Sequence, residues 1–215
     1  EVQALADAVQ NVMDGAAGTA DTPTKADLEA LGITGVTDDN LAAIQQAVAG
    51  TDDDGSGVDD LTELQSLVDD AVTAATAGID AIKLAADEND AVSDNLALSH
   101  FTDAGVTGVS NLGAIQSALD STLVDGTAVN SSAKIQAVVD SYNTILAAAD
   151  GTADNTATDP SSADYTAIGV TGVDDAEEAS LLGDVIDAAA TTAVDEVSEV
   201  QALADAVQNV MDGAA

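Results

Sequence analysis

The densest set of potential ligand atoms in this chain is the run Asp52-Asp53-Asp54-Gly55-Ser56-Gly57-Val58-Asp59-Asp60-Leu61-Thr62-Glu63. Set against the calcium loop of EF-hands, Asp52 falls at position 1, Asp54 at 3, Ser56 at 5, Gly57 at 6, Asp60 at 9 and Glu63 at 12, with Val58 lending its carbonyl at position 7. Hard oxygen ligands at this spacing can wrap one Ca2+, and the glycine permits the sharp turn. The pattern departs at position 8, where Asp59 stands in place of the usual aliphatic residue and Val58 comes one place early. The competing reading is a solvated loop ahead of a helix, because Asp and Glu favour a helix N-terminus without any metal. The equivalent loops Asp125 to Lys134 and Thr191 to Glu199 lack the ligand set, so Ca2+ would bind once per repeat.

No other constellation suggests chemistry. His100 is the only histidine and is expected as an exposed residue starting a short helix, neither metal ligand nor base. No Ser-His-Asp arrangement is credible, and phosphate-loop and dinucleotide fingerprints are absent. Asp87-Glu88-Asn89-Asp90 reads as a solvated acidic turn. The chain is therefore not expected to be an enzyme. Its 40 acidic and 3 basic side chains (Lys25, Lys83, Lys134) give a net charge of −37, which argues against nucleic acid and anionic membranes as partners. No apolar run reaches the length of a membrane span, so membrane insertion is not expected either. Without cysteine there are no disulfides and no thiolate metal sites.

The elements that hold these residues repeat. Residues 1–17, EVQALADAVQNVMDGAA, recur letter for letter as residues 199–215, which sets a period of 198 residues. Within it a shorter pattern recurs three times. Asp27 to Gly32, His100 to Gly105 and Asp164 to Gly169 each read as a short helix closed by glycine, which takes a left-handed backbone at little cost. Ile33-Thr34-Gly35-Val36, Val106-Thr107-Gly108-Val109 and Val170-Thr171-Gly172-Val173 follow. Next come a helix carrying Leu41, Ile44 and Val48, or Leu112, Ile115 and Leu119, or Leu182, Val185 and Ile186, and a longer helix opening on Leu64-Gln65, Ile135-Gln136 or Val200-Gln201.

Thr37 or Asp38 is expected to cap the first middle helix, and Gly78 to mark a break in the long helix that follows it. Leu28, Phe101 and Tyr165 share a position that should be buried. In residues 1–14, Val2, Leu5, Val9 and Val12 or Met13 form one apolar stripe at helical spacing. Its second copy should start upstream, near Val194. The boundaries are 1–50, the end of one long helix plus two short ones; 51–120 and 121–189, each a long helix leading into two short ones; and 190–215, the repeated long helix.

The run from Gly32-Ile33 through Asn40-Leu41 and Ile44, then Leu64-Gln65 and Leu67-Val68-Asp69, resembles the albumin-binding GA-type three-helix module and its GA-like relatives. Such relatives occur as repeats in very large bacterial surface and biofilm-associated adhesins. The resemblance implies an all-α chain of tandem three-helix-bundle modules, stacked as a rod or fibre on an extracellular bacterial cell surface. Its partners would be neighbouring repeats, with lateral self-association as an option, and its task that of a spacer, stalk or matrix scaffold. Two alternatives stay open: a protein-binding module for a host or matrix protein, and a subunit of a self-assembling filament. A β-sandwich repeat would also suit Thr, Val, Asp and Gly, but abundant Ala and three-four spacing favour helix.

Overall fold

The computed structural model describes residues 2–18, 22–52, 55–88, 96–153 and 158–214. Among them, helix accounts for the regular structure: α1 (Val2–Ala16), α2 (Lys25–Ala30), α3 (Leu41–Ala49), α4 (Leu61–Glu88), α5 (Leu98–Asp103), α6 (Leu112–Leu119), α7 (Ser132–Ala148), α8 (Ser162–Ala167), α9 (Ala176–Asp187) and α10 (Val197–Ala214), with a 3-10 turn at Thr191–Ala193. No strand forms among the described residues; a lone bridge pairs Asp150 with Ala190. The β-sandwich alternative is thereby set aside. After α1 the order short, middle, long runs three times, as the internal pattern implied.

The short helices end alike. Gly32, Gly105 and Gly169 have φ of 83°, 78° and 88°. The amides of Ile33, Val106 and Val170 reach back to the carbonyls of Leu28, Phe101 and Tyr165 at 3.0, 2.8 and 2.9 Å. This is the six-to-one bond of a Schellman end, and it carries the chain over the buried residue at the heart of each short helix. Leu28, Phe101 and Tyr165 are all fully buried. At the other end, α2 and α8 carry capping boxes, Thr24 with Asp27 and Ser161 with Asp164, each satisfying otherwise orphaned amides.

Two compact units emerge. The first comprises Glu1–Asp80, Ser99–Thr107 and Ser131–Ala133; the second Ala81–Leu98, Gly108–Asn130 and Lys134–Ala215. In the first, α1 packs on α2 and α3, and the core joins Val12 and Ala16 to Leu28, Ile33, Ile44, Val48, Leu64 and Val68. Burying an aliphatic side chain of this size contributes about 1.5–3 kcal/mol. A thin seam of them can therefore hold an acidic chain together. In the second unit, α10 packs on α9 and α6, and α8 packs on α9. There the core includes Ile115, Leu119, Tyr142, Ile145, Tyr165, Leu182 and Ile186.

Four local expectations are corrected. α4 does not break at Gly78 but runs on through it. The glycine is there for room: a Cβ would strike the His100 carbonyl and lie 3.0 Å from the Ala104 amide, because the backbone of α5 passes against this face. α3 begins at Leu41, not after Thr37 or Asp38: Asn40 folds back, its carboxamide accepting from the Thr37 amide (2.8 Å) and donating to the Gly35 carbonyl (2.8 Å). α10 begins at Val197, three residues past Val194, because Val194 itself closes the 3-10 turn, its amide donating to the Thr191 carbonyl. Finally, Val2, Leu5, Val9 and Val12 do not lie on one buried face of α1: Val12 is buried, whereas Val2, Leu5 and Val9 are exposed.

Candidate functional site

The acidic loop leads into α4. Asp52 is exposed, and its carbonyl accepts from the Gly55 amide at 2.9 Å; Asp54 lies outside the described residues. Ser56 is exposed on the turn. The Val58 amide donates to the Gly55 carbonyl (3.0 Å), while its side chain enters the core of the first unit. Asp60 works as a helix cap: its carboxylate accepts from the Thr62 amide at 2.6 Å and its carbonyl from the Leu64 amide at 2.9 Å. The Thr62 amide, first among its partners, holds the Asp60 carboxyl below the usual range. Glu63 is exposed in the first turn of α4. Among the described residues no three His, Cys, Asp or Glu groups come together as a metal cluster. Asp52, Ser56, Asp60, Glu63 and the Val58 carbonyl remain the described groups that a cation could draw on.

A concavity lies in the second unit, an open cleft of about 660 Å3 between α6 and the start of α10, lined by Asn111, Ser117, Asp120, Asp195, Glu196 and Gln201 among others. Its hydroxyls are already employed. Ser117 Oγ accepts from the Val197 amide at 2.9 Å, capping α10 from a neighbouring helix, and donates to the Ala114 carbonyl at 3.0 Å. Tyr142 Oη approaches Ser117 Oγ at 3.4 Å and donates to the Val194 carbonyl at 3.2 Å. Burial pushes the Tyr142 phenol up to about 12, offset in part by the Ser117 hydroxyl and reinforced by Asp195, Glu199 and Glu196. A phenol held neutral that far above neutrality is a hydrogen-bond donor, not a base. The cleft is thus the joint at which α6, α7 and α10 meet. His100, far from starting a helix in solvent, is the third residue of α5 and half-buried.

The polar feature that recurs is a clasp. The Thr34 amide donates to Gln65 Oε1 at 2.9 Å, and Gln65 Nε2 returns a bond to the Thr34 carbonyl at 3.1 Å and another to Asp69 at 2.8 Å. In the second unit Thr171, Gln201 and Asp205 repeat those three bonds at 2.9, 3.1 and 2.8 Å. One carboxamide therefore satisfies both backbone groups of the turn residue and ties the turn to the long helix. No family model, curated protein or solved structure matches the chain. The clasp and the joint are consequently read from this molecule alone.

A second repeated tie steadies the entry to the short helices. Gln45 Nε2 donates to the Pro23 carbonyl at 2.9 Å, and Gln116 Nε2 to the Leu96 carbonyl at 3.4 Å. In the third pattern α9 carries no glutamine, and the Asp159 side chain fills the space a Cβ on Gly183 would need. The glutamines were visible in the sequence, each directly after a core aliphatic residue: Gln45 after Ile44, Gln116 after Ile115, Gln65 after Leu64 and Gln201 after Val200. Their role was not, because a surface glutamine and a clasping one look alike until the turn is built.

Proposed function

We propose that this chain is a structural segment of a giant extracellular bacterial adhesin or surface fibre, built from GA-like three-helix-bundle modules in tandem and serving as spacer, stalk or matrix scaffold. The observation that carries the reading is the recurrence of one helix end, one glycine turn and one glutamine clasp at matching places along the chain. Conserving scaffold geometry while the remaining surface varies suits a part whose task is length and spacing. The Ser117 and Tyr142 hydroxyls at the cleft between α6 and α10 serve helix packing, which fits the same task. The charge of −37 keeps neighbouring copies apart in dilute salt, with repulsion reaching about 10 Å at 0.1 M.

The test is length against copy number. Chains of one to four 198-residue periods, measured by small-angle X-ray scattering, should gain a constant increment in maximum dimension with each period. A dimension that grows only as a compact globule does, with roughly the 0.38 power of residue number, sinks the spacer reading. Added salt or Ca2+ should lower the hydrodynamic radius of the array by screening the carboxylates.

The calcium reading of the loop at Asp52, Asp54, Ser56, Val58, Asp60 and Glu63 is carried alongside. Calorimetric titration of the full chain with Ca2+ should show one saturable site that Glu63→Gln weakens at least tenfold. Featureless heats, or an unchanged isotherm in the variant, remove calcium from the account.

A further inference from the structure

The duplicated stretch is one sequence in two environments, and the two copies bury different side chains. In α1, Ala8 is fully buried, Val12 is 2% exposed, and Gly15 and Ala16 are buried, all against the first unit. Their counterparts in α10 face water: Ala206 is exposed, Val210 is 64% exposed and Gly213 is exposed. The reverse holds at the other end of the stretch. In α10, Val200, Ala204 and Val207 are buried. In α1 their counterparts Val2 (84%), Ala6 and Val9 (50%) are exposed.

The stretch therefore has two apolar faces. At about 100° per residue they lie roughly a third of a turn apart, and their centres are offset along the axis by about six residues, or about 9 Å. Nothing prevents both from being covered at once. The molecule also shows what covers each. The upstream face fits against α9 and α6, as in the second unit; the downstream face fits against α2 and α3, as in the first.

We propose that the exposed downstream face of α10 is the docking site for the α2–α4 surface of a second copy of this chain, in the seat α1 holds within its own copy. One helix then serves as the last of one repeat and the first of the next. A docking α10 arrives with Val200, Ala204 and Val207 already covered by its own unit, so seating Ala206, Val210 and Gly213 leaves neither face of the helix in water. The seat includes a polar key as well. Asn11 Nδ2 donates to Asp27 Oδ2 at 3.0 Å, and Asp27 is also the capping-box partner of Thr24. Asn209, the counterpart of Asn11, is exposed on α10 and carries the same group to the same register. Met13 lies against Gly55, where any side chain would collide with it; Met211 would take that place. Such a contact is heterologous, head to tail, and propagates without closing. It rests on the tandem-repeat reading for its biological setting, but its test concerns which helix fills the seat and not how length grows.

The test uses the full 215-residue chain. In the wild type, α1 is tethered beside its own seat and outcompetes another copy. Val12→Asp expels it. Sedimentation velocity over a hundredfold concentration range should then show the weight-average mass of V12D rising past that of a dimer. Val210→Asp alone should remain monomeric like the wild type, and V12D/V210D should return to monomer. Because V12D could unfold the first unit before any partner arrives, a second measurement adds the synthetic peptide EVQALADAVQNVMDGAA. It should restore amide-exchange protection at Ile44 and Val48 in V12D, whereas the same peptide with Asp at its twelfth position should not. Association that persists in V12D/V210D overturns the proposal. So does a V12D chain that stays monomeric and gains no protection from the peptide.

Discussion

Seventeen residues of this chain are folded twice, and comparing α1 with α10 separates what a helix sequence encodes from what its neighbours decide. Both copies are helical. Which valines are buried differs completely: Val12 against Val210, Val200 against Val2. Amphipathicity specified that the stretch pays entropy back by packing, but not on which side. The largest test of this contrast is a charge placed at matched positions. Val12→Asp should destabilise the first unit by about 3–5 kcal/mol, the cost of an unpaired buried charge, while Val210→Asp should stay within about 0.5 kcal/mol in denaturant unfolding. Val200→Asp and Val2→Asp should show the same split for the second unit. Equal effects at matched positions would break the comparison.

Glycines sharpen it next. Gly78→Ala should cost about 1–3 kcal/mol by forcing α4 off the backbone of α5. Gly213→Ala, with nothing within 4 Å of the new methyl, should be neutral or raise the thermal midpoint slightly. The two buried tyrosines come third. Tyr142→Phe removes the bond to the Val194 carbonyl and should cost about 1 kcal/mol. Tyr165 Oη is buried without a hydrogen-bond partner, and burial raises its pKa above the usual phenol range. Tyr165→Phe should therefore be neutral or stabilising by up to about 1 kcal/mol in the same assay.

Smaller still is the glutamine pair. Gln201→Ala opens the clasp on Thr171 and should cost about 1 kcal/mol, whereas Gln3→Ala, its copy in α1, loses an exposed bond to Asp7 and should be almost silent. The smallest effect is acid sensitivity. Chiefly the Thr24 hydroxyl, with Asn11 adding to it, holds the Asp27 carboxyl below its usual range. A depressed carboxylate contributes stability that is present above its unfolded pKa of about 3.9 and is lost as pH falls through the lower folded value. Unfolding midpoints of the first unit should fall below about pH 4, and less steeply in Thr24→Ala.

Much of this was legible in the sequence. Glycines that end Asp27 to Gly32 and its two echoes can hardly do anything else, and the position shared by Leu28, Phe101 and Tyr165 had to be apolar because it recurs as three different large side chains. What escaped was relational. Gly78 looked like a breaker because room for a passing backbone is not a property of the helix that carries it. Asn40 took over from Thr37 and Asp38 because its side chain could bridge backward to the Gly35 carbonyl. At the acidic loop, spacing proposed ligands, while the structure uses Val58 for core and Asp60 for capping. The joint ties Ser117 and Tyr142 of the second pattern to Val197 and Val194 ahead of the third pattern's long helix, which no within-pattern alignment could reveal.

The placement of the aromatic rings has a practical corollary. There is no tryptophan, and both tyrosines, Tyr142 and Tyr165, lie within the second unit. Tyrosine emission and the tyrosine band of the near-ultraviolet dichroism thus watch the second unit, whereas far-ultraviolet dichroism watches both. Any gap between the two melting profiles is a direct optical readout of whether the halves come apart together or in turn.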